Sequence, residues 1–265
     1  MSATIIDQGR LARITTLYKG SHNPPNGEFA ACVMEAASYV AGERWSDHPA
    51  CACPVITAFM VSWNDGVPDD ETRTRLLLPL IHRIVGTRGS KKLANRRATM
   101  VADWLVRVHT PAWLRLAGLT DEADALANLP DFAKIPSIMG PLNAARGAAE
   151  KKWDAAKAAA WDAAGDAAWD AARDAAGAAT WAATGGAAKA AARATAWDAA
   201  KAAAKAAWDA AVATAWDAAV ATAWDAAGGA ARATAWDALR PTTDTLQKSA
   251  LDLVERMCAL TEADL

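Results

Sequence analysis

Between Trp153 and Trp236 the chain repeats every four residues: two variable positions, often Trp-Asp, then two small ones, nearly always Ala-Ala. The pattern runs WDAA, KAAA, WDAA, GDAA, WDAA, RDAA, slips by one residue near Ala206, and resumes as AWDA, AVAT, AWDA. Ala is the best helix former and is depleted from strands, so the stretch predicts helix. Four residues advance a helix by about 400°, so the Trp stripe drifts by about 40° per repeat. A drifting stripe does not suit one long, gently supercoiled pair of helices.

The nine repeat tryptophans are Trp153, Trp161, Trp169, Trp181, Trp197, Trp208, Trp216, Trp224 and Trp236. Each buried indole removes roughly 200 Å² from water, an upper bound of about 5 kcal/mol, so these rings require cover. Paired alanines leave shallow hollows that let a neighbouring helix approach closely. Trp therefore reads as a knob, Ala-Ala as its hole, and the Asp after Trp as a wet rim. Gly185-Gly186 and Gly228-Gly229 are the natural breaks, since paired glycines cost about 2 kcal/mol inside a helix. They predict antiparallel arms over Leu142 to Thr184 and Ala187 to Ala227, with a third helix from Ala230. A stack of shorter helices, also broken near Gly165 and Gly177, is the alternative. The Trp spacings 8, 8, 12 occur twice, from Trp153 to Trp181 and from Trp208 to Trp236. They fit either an internal duplication or simple multiples of four.

Residues 1–130 have ordinary composition and read as a compact all-helical head. Apolar positions predict a first helix over residues 3–18, a turn-rich loop from Gly20 to Gly27, and a helix through Phe29, Cys32, Val33, Ala36, Tyr39 and Val40 that stops at Gly42. Pro54 opens the next helix, which ends at Asn64-Asp65-Gly66. Asp69-Asp70-Glu71 starts another, favourable to the helix dipole, and Pro79 predicts a kink or break in it. A helix over Leu93 to Val108 is expected to stop before Pro111, and Thr120 to cap the next. Residues 131–141, with Pro136, Gly140 and Pro141, read as a linker. Residues 142–240 are the repeat region, and residues 241–265 a closing amphipathic helix capped near Thr242 and Asp244. The expected fold class is all-α.

The chain has 265 residues and a formal net charge of −2, which gives no general attraction to nucleic acid or anionic lipid. The start carries polar residues throughout and does not read as a signal peptide, and no apolar run approaches the ~20 residues that span a bilayer. The four Cys do not form a secreted disulfide pattern. These features predict a soluble cytoplasmic protein with no membrane partner.

The densest polar constellation is Cys32, Glu35, His48, Cys51 and Cys53, with His22 upstream. Cys32, His48, Cys51 and Cys53 could supply four ligands to a zinc ion. Against this, Cys51-Ala-Cys53 has a single intervening residue where common structural sites use two to four. Cys32 near a helix start, with His48 or His82 as base, is the other option, a nucleophilic pair. No glycine-bracketed nucleophile or phosphate loop accompanies it. His82 and His109 read as satisfied structural residues, and Asp47-His48 and Asp69-Asp70-Glu71 as caps. Arg88, Lys91, Lys92, Arg96 and Arg97 form a basic patch without interleaved aromatics, better read as a solvated face than as a nucleic-acid contact.

The stretch CVMEAASYVAGERWSDHPACACPVITAFMVSWNDGVPDD, followed by RATMVADWLVRVHTPAWLRLAGLTDEADAL, resembles uncharacterised proteins of actinobacteria and their bacteriophages. Those proteins look like a helical head joined to an Ala-rich tail with Trp repeats. The resemblance implies the same two-part organisation and a bacterial or phage setting, and carries no catalytic residue over.

Taken together, the residues predict a non-enzymatic interaction or scaffold protein whose repeat packs helices closely or binds another copy. Two alternatives stay open. One is a small zinc- or Cys-dependent enzyme centred on Cys32, Glu35 and His48. The other is a phage inhibitor or immunity factor that binds a host protein.

Overall fold

Prolines, glycines and short capping side chains divide the chain into mostly short helices. The computed structural model describes residues 6–25, 29–129, 140–152, 154–155 and 228–265. Every regular element among them is helical and none is a strand, so the protein is all-α. No helix among the described residues is long and apolar enough to cross a membrane. The predicted break at Gly185-Gly186, most of the two antiparallel arms and most of the linker lie outside the described residues. So do Trp153, Trp161, Trp169, Trp181, Trp197, Trp208, Trp216 and Trp224.

The head begins with α1, Gln8–Leu11, a single turn capped by Asp7, whose carboxylate accepts the Arg10 N–H. The sequence predicts helix as far as residue 18, but the chain leaves it after Ala12. Ile14 and Leu17 are buried in irregular backbone: Ile14 N–H donates to the Leu11 carbonyl in a turn, Leu17 N–H to Thr74 Oγ1, and Tyr18 N–H to the Ala31 carbonyl. Next come α2, Val33–Val40, α3, Pro54–Gly66, and α4, Asp70–Leu77. Gly42, at φ 72, accepts the left-handed turn that ends α2, a conformation an L side chain resists. Asp69 caps α4 by accepting the Thr72 N–H, which holds its carboxyl below the usual range. Pro79 breaks the next stretch as expected: a 3₁₀ turn over Leu78–Leu80 precedes α5, Ile81–Ile84. The helix α2 packs on both α3 and α5.

Pro111 does not stop the helix before it. α6, Lys91–Trp104, runs through a π turn, Leu105–His109, into α7, Thr110–Leu116. The Thr110 N–H reaches back five residues to the Leu105 carbonyl, and Pro111 falls at the first turn of α7. There its missing N–H costs nothing. α8, Thr120–Ala127, follows, with Leu119 rather than Thr120 at the cap position and no side-chain cap bond.

The Ala-rich region is described at its two edges. Residues 140–152 are helical, so Gly140 and Pro141, expected in the linker, already belong to a helix start. Leu142, Ala145 and Ala149, at helical spacing, are fully buried. The last helix, α9, is Gly228–Ala259. It contains Pro241, so the separate closing helix expected from residue 241 is the continuation of a longer one. Thr243 and Thr245 hydroxyls donate to the Leu239 and Pro241 carbonyls around that proline. Leu239, Leu246, Ala250, Leu253, Val254 and Met257 are all buried and give the helix an apolar face.

The described residues fall into two compact units. One holds residues 6–25, 29–101 and 250–265. The other holds residues 102–129, 140–152, 154–155 and 228–249.

In the first unit the end of α9 is fixed by a buried arginine. Arg97 is 2% exposed, and its guanidinium donates to the carbonyls of Met257 (2.8 Å), Leu260 (2.8 Å) and Thr87 (2.5 Å). Met257 lies in the last turn of the helix, whose carbonyls have no intrahelical partner, and Leu260 follows directly after its end. Arg97→Met should therefore lower the unfolding free energy by about 3 kcal/mol or more, since it strands three carbonyls. Arg97→Lys should recover less than half of that, because one ammonium does not span the fork. Urea titration of both variants measures this.

Candidate functional site

The Cys/His/Glu constellation folds into a structural joint. Cys32 and Glu35 form a reciprocal cap on α2: the Cys32 sulfur accepts the Glu35 N–H (3.4 Å), and Glu35 Oε2 accepts the Cys32 N–H (2.8 Å). Cys replaces the usual Ser or Thr. Glu35 is 2% exposed, so its carboxylate needs further partners. His22 supplies them: its N–H donates to Oε1, and its ring Nδ1 lies 3.0 Å from Oε2. The histidine that meets Glu35 is thus His22, from the loop before α2, and not His48.

That loop is bonded at almost every step. Gly20 N–H donates to Asp65, and the Trp45 indole donates to the His22 carbonyl (2.7 Å). Asn64, fully buried, accepts the Val33 N–H and donates to the Tyr18 carbonyl. Arg73, 1% exposed, donates to the carbonyls of Asn64 and Val67 and pairs with Asp70. Beside the loop Phe29, Tyr39 and Trp45 pack as a ring cluster, with centroids 5.0 to 6.3 Å apart and the Arg10 guanidinium over Tyr39.

The four residues proposed for zinc do not converge. Among the described residues, no three His, Cys, Asp or Glu side chains are grouped to hold a metal ion. Cys32 is engaged in the α2 cap. His48 is largely exposed and its Nδ1 pairs with Asp47 at 2.8 Å, as its neighbour in sequence allows. Cys51 and Cys53 are buried at the start of α3, where Cys51 C=O accepts the Arg88 N–H and Cys53 N–H donates to Thr87 Oγ1. A spacing of two residues in an irregular turn gives no common aim to two thiols. The nucleophile reading also meets an obstacle. Burial pushes the Cys32 thiol up to about 12, and the adjacent Glu35 carboxylate acts in the same direction. Burial likewise raises Cys51 and pushes Cys258 up to about 12. A thiol at such a value is not a thiolate at neutral pH.

Two residues escape a sequence reading. Arg97 falls in the basic run yet is buried, whereas Arg88, Lys91, Lys92 and Arg96 are exposed. His109 is not a satisfied structural histidine. It sits in the π turn, fully buried, with ring centroids 5.1 Å from Trp104 and 6.2 Å from Trp113. Trp113 Nε1–H donates to His109 Nε2 (3.2 Å), which leaves the ring proton on Nδ1, and Nδ1 has no partner. The Trp104 indole turns instead to the Ser249 hydroxyl (2.6 Å). Only the π turn brings His109 between the two indoles, and a motif search sees no such feature.

Comparison of the chain with protein-family models, curated proteins and solved structures returned no match.

Two outcomes follow from these environments. Native Cys32 should resist iodoacetamide at pH 7 over hours and react within minutes once the chain is unfolded in urea; peptide mass mapping reads it. Burial lowers the His109 imidazole to about 3 from an ordinary 6.5, so the unfolded chain binds the extra proton between these values. Stability is therefore full above pH 6.5 and falls as the pH drops, by about 3 kcal/mol at pH 4.5. His109→Phe should remove that part of the acid slope in denaturant titrations taken at several pH values.

Proposed function

We propose that this protein is a non-enzymatic interaction or scaffold protein, with the Ala/Trp region as a close-packing surface that binds further copies of the chain. The observation that carries the reading lies at the edge of that region. Ala145 and Ala149 are wholly covered, together with Leu142, on a helix where Arg146 and Glu150 are partly exposed. Buried alanine at these two positions supports the reading of small side chains as a contact face. Small side chains let helix axes come close, and large indoles then fill what remains. Nine indoles in one repeat are a great deal of apolar area for one chain to cover alone.

The state of the head supports the same reading. Its most buried carboxylate, Glu35, and both buried guanidinium groups are occupied in holding backbone. Polar groups with those partners position a chain and are not free to take up a substrate.

Static light scattering on the full chain tests it. The mass should exceed the 27.7 kDa monomer at tens of micromolar, about the working range of modest homo-oligomers, and rise with concentration. Replacing Trp208, Trp216 and Trp224 together by Ala should return the chain toward monomer. A mass fixed at the monomer value across the range rules the reading out.

A further inference from the structure

In the first unit a groove of about 310 Å³ lies where the start of α3 meets the turn before α6. This is the lower end of the size at which proteins hold ligands, roughly 300–1,000 Å³. Its floor is apolar: Pro54, Val55, Ala94 and Ala98. Arg88 and Lys91 stand at its rim, both exposed, and neither makes an ion pair among the described residues. The neighbouring Ser90 is already taken. Its N–H and hydroxyl bond the Glu262 carboxylate at 2.6 and 2.8 Å, and the Ser90 N–H holds that carboxyl below its usual range. Lys92 turns away to the Leu265 carbonyl oxygen. A Cβ on Gly89 would lie 2.6 Å from Leu93 Cδ2 and 2.9 Å from Glu262 Oε1, so the turn is tightly closed on that side. Among the described residues this leaves an apolar floor beside two cations without an ion-pair partner.

Such a groove suits a flat apolar body with a carboxylate next to it. The chain itself carries eight Trp-Asp dipeptides, beginning at Trp153, Trp161, Trp169, Trp197, Trp208, Trp216, Trp224 and Trp236. Successive helical residues diverge by about 100°, so an indole directed into the groove leaves its Asp at the rim. The indole would lie on Pro54 and the two alanines, with the Arg88 guanidinium against its ring and Lys91 near the carboxylate. We propose that this groove receives a Trp-Asp dipeptide from the repeat of a second copy of the chain. The inference rests on the self-association reading and supplies its contact. A groove on one copy and a dipeptide on the next make a head-to-tail interface, which builds rings or open arrays in place of a closed dimer. Eight dipeptides per chain also give a donor with many equivalent attachments.

The test uses the full chain and a fluorescein-labelled peptide of residues 207–217, AWDAAVATAWD, followed by fluorescence anisotropy. The wild type should bind it saturably, and more weakly as salt is raised. The double variant R88E/K91E, and separately Ala94→Phe, which fills the groove from a half-buried position, should each weaken binding by about tenfold or more. The peptide with Asp209→Asn and Asp217→Asn should also bind less tightly. Circular dichroism checks that the variants are folded, and two charged surface positions put little strain on the fold. Absence of peptide binding, or equal binding by both variants, overturns the proposal. Indole-3-acetate competing as tightly as the peptide also overturns it, since the groove would then be a small-ligand site. Light scattering separates the two levels. A monomeric wild type removes the self-association reading and this contact with it; assembly that survives R88E/K91E removes only the contact.

Discussion

Irregular backbone in a small helical protein must find hydrogen-bond partners that helices do not offer, and a handful of buried polar side chains meet that need here. Arg73, Arg97, Asn64 and Glu35 are almost wholly removed from water, and each is spent mainly on main-chain groups. A buried guanidinium is costly to desolvate, and carbonyl oxygens at several distances around its fork offset much of that cost. The loop from Leu17 to His22 carries no regular structure, yet Thr74, Arg73, Asn64, Asp65, Glu35 and Trp45 hold it in turn.

The same economy accounts for how several residues that could carry chemistry are used, and among the described residues no three His, Cys, Asp or Glu side chains are grouped to hold a metal ion. Cys32 and Glu35 are close because a capping box brings its first and fourth residues together. That closeness supplies a helix start, and its by-product is a thiol beside a carboxylate, an arrangement that disfavours the thiolate. His109 shows the converse. Its environment is apolar and aromatic, and a π turn fixes it there with one nitrogen unsatisfied. Burying a donor without a partner costs about 1–3 kcal/mol, which the surrounding indoles and the run of α6 into α7 must outweigh.

Pro111 and Pro241 teach a related lesson about helix ends. Proline forbids one hydrogen bond and crowds one carbonyl, and nothing more. At Pro111 a wider turn moves the forbidden bond to a position where no bond is due. At Pro241 the helix continues through the ring, with Leu239 and Leu246 buried on either side. At Pro79 the chain passes through a 3₁₀ turn, although Leu76, Leu77, Leu80 and Ile81 are buried on both sides of the ring. Pro111 is buried whereas Pro79 and Pro241 are exposed, and the three give three different outcomes.

The sequence by itself determined the all-α class, the stops at Gly42 and Gly66 and the acidic start at Asp69. These depend on local preference and on periodicity, which are written in the order of residues. The tertiary structure alone decided which histidine meets Glu35, that Arg97 leaves the solvated run to hold the end of α9, and that the cysteines do not share an aim. It also decided that residues 14–18 give up the helix their apolar spacing suggests. Each of these rests on partners far along the chain: Thr74 for Leu17, His22 for Glu35, Met257 and Leu260 for Arg97. Spacing along a sequence ranks neighbours within a turn or two; hydrogen bonds across dozens of residues are settled only when the fold brings donor and acceptor within reach.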